Sequence, residues 1–141
     1  MIISHLNYAA VAVSAIIYFA IGGMWFSPLL FVKPWMAGHG ITMPTDEATK
    51  AEFRKQMPRQ MAITFLMCFI GTIGVAYLEA AAYTTNWMMG AKIGLIAGVF
   101  GSITLGLSHM YTSKSFKTFV IDAGYHVVGL IIVGIVLAVW R

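Results

Sequence analysis

Four apolar stretches of this sequence are each long enough to cross a lipid bilayer as a helix. They cover residues 6–26, 61–83, 87–111 and 116–140, and a membrane-spanning helix needs about 20 residues. Charged residues make up only 10% of the chain, whereas soluble domains carry about 25%. The sequence therefore predicts an all-α polytopic membrane protein with four transmembrane helices in an antiparallel bundle, as a single domain over residues 1–141.

The connection between the first two stretches, residues 28–58, changes in composition along its length. Its first part, PLLFVKPWMAGHG, is apolar and too short to span, which favours a position at the membrane interface. The second part, TDEATKAEFRKQM, predicts a short charged helix with Thr45 as N-cap and Asp46 and Glu47 in the first turn. We expect Pro58 to end this helix or to kink it into the second span.

Basic residues predict the orientation of the chain. Four spans put both termini on one side and the connections 1–2 and 3–4 on the other, and seven of the nine Lys and Arg residues lie on the connection side. The positive-inside rule then places these connections in the cytoplasm and both termini outside. The predicted location is the cell (inner or plasma) membrane, and the partner is the lipid bilayer. Because this basic charge reflects topology, we expect no nucleic-acid partner.

A stripe of small residues recurs every four positions along the third span. Small residues allow close approach between helices in lipid, so the stripe predicts a packing face. The face can pack within one chain or between copies in a homo-oligomer, and the sequence leaves both interpretations open. The stripe consists of Gly90, Gly94, Gly98, Ser102 and Gly106.

The fourth span carries two polar residues one helical turn apart, Asp122 and His126. His109 near the end of the third span is expected at a similar depth, and Tyr125 could join, which predicts a polar intramembrane cluster of these four. A structural hydrogen-bonded pair, a proton or ion site, and a metal site of both histidines with Asp122 all remain open. Since the spacing is not diagnostic and no cysteine or second carboxylate supports a metal, we expect no metal and no cofactor.

Glu79 and Lys92, near the facing ends of the second and third spans, form a candidate ion pair. No glycine-rich phosphate loop and no motif pairing a nucleophile with a base occurs, so we expect no enzymatic activity.

Two stretches, GGMWFSPLLFVKPWM and SFKTFVIDAGYHVVGLIIVGIVLAVW, resemble the first and last helices of the domain of unknown function 1761 family. That resemblance implies a small four-helix integral membrane protein without an established biochemical role. It directs attention to a few side chains, namely Trp25, Pro28, Lys33 and Trp35 of an interfacial motif, and Asp122, Tyr125 and His126.

Two functional hypotheses follow from the sequence. The first is a small membrane protein, expected to be a homo-oligomer, whose Asp122 and His126 cluster serves proton or small-solute movement. The second is a structural or accessory subunit of a larger membrane complex, because four spans form a thin bundle with small-residue faces available to a partner.

Overall fold

The structure is a computed structural model that describes residues 6–112 and 115–140. Lys114 and Arg141, which entered the charge count, lie outside these residues. The described residues form helices and connections without strands. The helices are α1 (Tyr8–Trp25), α2 (Val32–His39), α3 (Glu47–Ala81), α4 (Trp87–Tyr111) and α5 (Phe116–Val139). All except α2 are long and apolar enough to cross a membrane.

The connection between the first two apolar stretches differs from its prediction. The charged segment and the second span form one continuous helix, α3, of 35 residues, and Pro58 lies inside it. Thr45 was predicted as the N-cap, but Asp46 holds that position and accepts a hydrogen bond from the Thr49 amide. Aspartate is a better N-cap than threonine, so the helix begins one residue later than predicted.

The apolar segment before α3 contains the short helix α2. Pro34 lies in its first turn, where the backbone N–H has no partner within the helix, so proline costs nothing there. Gly40 ends the helix with φ of 66°, in the left-handed region that favours glycine.

Helices α4 and α5 make the most extensive contact of the fold, and the small residues of α4 account for it. A Cβ atom on Gly90, Gly94 or Gly98 would meet backbone atoms of α5. Ser102 lies 3.5 Å from the Ala123 carbonyl oxygen, and a Cβ on Gly106 would lie 3.1 Å from the Phe119 ring. The whole stripe therefore packs against α5 within one chain.

Helix α1 packs on the other side of α5. The Tyr18 ring lies over Gly129, and a Cβ atom on Gly124 would lie 3.0 Å from the Trp25 ring. Tyr18 is 4% exposed and stacks on Tyr125 at 5.2 Å between ring centroids. These contacts fix the first half of α5 between α1 and α4.

Helix α2 lies against the first turn of α5. A Cβ atom on Gly38 would overlap the side chain of Thr118, which is fully buried. The Thr118 hydroxyl is 2.8 Å from the hydroxyl of Ser115, the N-cap residue of α5. Only glycine at position 38 allows α2 to approach α5 this closely.

Candidate functional site

Asp122, two turns into α5, is the centre of a compact polar cluster. Its Oδ1 atom accepts a hydrogen bond from the indole Nε1 of Trp35 at 2.6 Å. Its Oδ2 atom lies 3.1 Å from Nε2 of His109 and 3.8 Å from Nε2 of His39. These four residues come from α2, α4 and α5, and we call them the Asp122 cluster. The Asp122 side chain is 13% exposed, so the cluster is largely shielded from solvent.

Both imidazole rings of the cluster are held in the same way. Nδ1 of His109 donates to the Leu105 carbonyl oxygen at 3.0 Å, and Nδ1 of His39 donates to the Trp35 carbonyl oxygen at 2.9 Å. Because a carbonyl oxygen can only accept, each ring must carry a proton on Nδ1. In the neutral ring, Nε2 therefore presents its lone pair toward Asp122.

With both rings neutral, three hydrogen-bond acceptors thus converge on one small volume: Oδ2 of Asp122 and Nε2 of His39 and of His109. The ligand atoms that these residues offer lie within 4.8 Å of one another. An ionised carboxylate oxygen and two imidazole lone pairs repel one another unless a positive charge lies among them. The Trp35 indole satisfies only the other carboxylate oxygen, so this geometry is suited to holding a cation.

Aromatic rings surround the Asp122 cluster. The Trp35 ring lies 4.3 Å from the His39 ring and 5.4 Å from the Phe26 ring, measured between centroids. The Phe119 ring lies 5.9 Å from that of His109. Apolar rings lower the local dielectric constant, which strengthens the attraction between the cluster and any cation it holds.

The structure brings Asp122 and His109 together, but it pairs His126 with another residue. Nδ1 of His126 lies 2.7 Å from the hydroxyl oxygen of Tyr18 on α1. The spacing of one turn suggested an Asp122 and His126 pair, but Tyr18 is brought within reach by the packing of α1. His39 replaces His126 in the group that could hold a metal, which corrects the set derived from the sequence.

Tyr125 also points away from the Asp122 cluster. Its hydroxyl oxygen lies 3.4 Å from Sγ of Cys68 and donates to the Tyr18 carbonyl oxygen at 3.4 Å. The ring lies over Gly22, where a Cβ atom would come within 3.0 Å of the hydroxyl oxygen. Tyr125 therefore joins α1, α3 and α5 in the core.

The candidate ion pair lies toward the opposite end of the molecule. Glu79 is 4% exposed and lines a cavity that is also lined by Asn7 and Trp140. Lys92 is exposed on α4. Their pairing stays a prediction.

The two stretches that carry the family resemblance meet in space. Trp25 donates from its indole Nε1 to the Ile121 carbonyl oxygen at 3.0 Å, and Trp35 donates to the carboxylate of the next residue, Asp122. The two tryptophans therefore attach the end of α1 and the helix α2 to the same turn of α5. Two further residues of the first motif are exposed, namely Pro28 and Lys33.

His39 is the cluster residue that the sequence interpretation did not select. A usable signal was present, because Trp35 and His39 are four residues apart, which places them on one face of a helix. Proline near the start and glycine just after the end, Pro34 and Gly40, mark such a helix in the sequence. What the sequence could not provide is the contact of α2 with α5.

A family model described as "Protein of unknown function (DUF1761)" matches residues 9–138 of this chain. No curated protein and no solved structure matches this chain.

Proposed function

This chain belongs to the DUF1761 family, whose description assigns no activity, and we propose that it is a membrane protein that binds a small cation at the Asp122 cluster. One observation carries the proposal. Oδ2 of Asp122 faces Nε2 atoms of two imidazole rings whose Nδ1 protons are engaged by carbonyl oxygens. A cation compensates the negative charge that this arrangement concentrates in one place.

The position of Asp122 supports a functional role. Asp122 is six residues beyond Phe116, the first residue of α5, or about 9 Å along the helix axis at 1.5 Å per residue. A carboxylate within hydrocarbon costs about 2.5–3.5 kcal/mol at mid-membrane and less near the interface. A carboxylate at such a position is a functional candidate, and a bound cation offsets part of its cost.

We propose that the cluster faces the cytoplasm, because it lies near the connection between α4 and α5. Basic residues are concentrated on that side of the predicted topology. Proton or small-solute movement, as predicted from the sequence, would then begin at the Asp122 cluster on the cytoplasmic side.

Cysteine labelling of intact cells tests the orientation. A cysteine introduced at Thr42, between α2 and α3, should resist a maleimide that cannot cross membranes. A cysteine at Thr85, between α3 and α4, should react. Both positions are exposed, and Cys68 is buried. Reaction at position 42 together with protection at position 85 would invert the proposed orientation.

Asp122→Asn is expected to remove cation binding, because the amide keeps the shape of the side chain and loses its charge. The thermal unfolding midpoint of the purified protein should be measured in mild detergent with alkali, alkaline-earth and transition-metal chlorides at constant ionic strength. A cation at 100 times its dissociation constant stabilises the folded state by about 2.7 kcal/mol. The wild-type midpoint should therefore rise with at least one cation, and that of Asp122→Asn should not.

Asp46→Asn is the matched control. Asp46 is exposed and caps α3, and asparagine caps a helix about as well as aspartate. This variant loses the same charge far from the cluster and should respond to cations like the wild type. A wild type that no cation stabilises, or an Asp122→Asn variant that responds fully, contradicts the proposal.

A further inference from the structure

We infer that the cation is a divalent transition-metal ion, bound by Nε2 of His39, Nε2 of His109 and Oδ2 of Asp122. The inference rests on the proposed cation site and names the class of ion it takes. The sequence offered a histidine and carboxylate set only with His126 in it, and the structure replaces that residue with one from α2.

Two of the three distances among these atoms are close to those of a metal site, and all three atoms lie within 4.8 Å of one another. Zn²⁺ lies about 2.0–2.1 Å from imidazole nitrogen and carboxylate oxygen, so two ligands of a tetrahedral site are about 3.3 Å apart. The distances from Oδ2 of Asp122 are 3.1 Å to Nε2 of His109 and 3.8 Å to Nε2 of His39. They lie on either side of that value, and a shift of about half an ångström in α2 would make the longer one match.

A shared hydrogen bond does not account for the same geometry. A hydrogen bond between nitrogen and oxygen requires about 2.7–3.2 Å, which the His39 distance of 3.8 Å exceeds. One proton can also join only two of the three acceptors. A metal ion accepts all three lone pairs at once.

The ligand types select the class of metal. Neutral imidazole suits zinc, iron, copper and nickel, whereas calcium and magnesium prefer oxygen ligands. Two histidines and one carboxylate leave coordination positions for water or a transported ligand, as in zinc sites with three protein ligands and in non-haem iron sites. Oxygen-preferring ions should therefore bind this site weakly.

The hydrogen bonds that hold the three ligating side chains are typical of metal sites. Ligating histidines usually donate the second ring nitrogen to a carbonyl or carboxylate, which fixes the tautomer and the ring orientation. Here the carbonyl oxygens of Leu105 and Trp35 accept hydrogen bonds from Nδ1 of His109 and of His39, respectively. The Trp35 indole holds Oδ1 of Asp122 at 2.6 Å, which leaves Oδ2 directed toward both rings.

The test is titration of the metal-free protein with Zn²⁺ by calorimetry and with Co²⁺ by visible absorption, in mild detergent. The wild type should bind one ion per chain, and bound Co²⁺ should show the intense bands of a four- or five-coordinate site. His39→Ala and His109→Ala should each weaken binding by roughly 100-fold or more, since loss of a contact behind a ligand already costs 10–100-fold.

His126→Gln is the control that separates the two histidine sets. His126 bonds to Tyr18, so this variant should keep wild-type affinity. Circular dichroism and the elution volume identify a histidine variant that has not folded, and the Co²⁺ spectrum of the wild type tests the site without any substitution.

Each outcome has a defined meaning. Absence of Zn²⁺ and Co²⁺ binding by the wild type overturns the inference, as do unchanged affinities in both alanine variants or an equal loss in His126→Gln. If alkali or alkaline-earth ions stabilise the protein through Asp122 while transition metals do not bind, the metal inference fails and the cation proposal stands. If no cation acts through Asp122, both fail.

Discussion

Gly38→Ala is expected to weaken metal binding by roughly 100-fold, or about 2.8 kcal/mol, although residue 38 offers no ligand. The added methyl group would overlap the Thr118 side chain and lie 3.2 Å from the Ser115 hydroxyl oxygen. Thr118 is fully buried and bonded to Ser115, so it has little room to move aside. Helix α2 must then shift away from α5, and it takes both His39 and Trp35 with it.

The size of this effect follows from the contacts that α2 provides. A hydrogen bond to a charged group, such as that from Trp35 to Asp122, contributes about 1.5–3 kcal/mol to the stability of the arrangement. The displacement of His39 in addition removes one ligand of the metal ion. Zn²⁺ calorimetry measures the change. Gly23→Ala is the matched control, because a Cβ atom there meets nothing within 4 Å. Equal affinities in Gly38→Ala and the wild type would show that α2 does not help to form the site.

Gly94→Ala is expected to destabilise the folded protein by about 3 kcal/mol, toward the upper end of the range for over-packing. Its Cβ atom would lie 2.7 Å from the Leu130 carbonyl carbon and 2.9 Å from Cα of Ile131. These are backbone atoms that cannot rotate away, so α4 and α5 must separate. Because the same pair of helices holds His109 against Asp122, metal affinity should fall together with stability.

Gly101→Ala, on the same helix, is expected to leave the stability of the folded protein unchanged or to raise it. Gly101 is exposed and its Cβ atom would meet nothing within 4 Å, while alanine favours a helix over glycine by up to about 1 kcal/mol. Unfolding in a titration with sodium dodecyl sulfate should show a less stable Gly94→Ala variant and a Gly101→Ala variant at least as stable as the wild type. Equal losses would indicate that the exposed side of α4 packs against a second copy.

The large features of the fold could be predicted from the sequence because each depends on local pattern. Long apolar stretches predicted α1, α4 and α5 to within two residues at each end. The four-residue period of small side chains predicted a packing face on α4, since close approach in lipid requires small residues. Of the two outcomes expected at Pro58, an end of the helix was wrong, because α3 continues through this residue; a kink there stays a prediction.

The candidate site was predictable only in part. Asp122 and His109 belong to adjacent helices joined by a short connection, so their depths could be matched by counting residues. His39 belongs to a helix of eight residues, whose position depends on one glycine contact with Thr118 and on one tryptophan hydrogen bond to Asp122. Such tertiary contacts leave no periodic trace in a single sequence. His126 was selected for its spacing to Asp122, but Tyr18, 108 positions earlier, competes for it.

X-ray absorption at the zinc edge of the Zn²⁺-loaded wild-type protein in detergent identifies the atoms that bind the ion. Binding by His39, His109 and Asp122 predicts a nearest shell of nitrogen and oxygen only, at about 2.0–2.1 Å, with outer scattering from two imidazole rings. The scattering from one of the two rings should be lost in His39→Ala, whereas the scattering from both rings should remain in His126→Gln. A sulfur shell at about 2.3 Å, an oxygen shell without imidazole, or a ring lost with His126 instead of His39 would contradict this set of ligands.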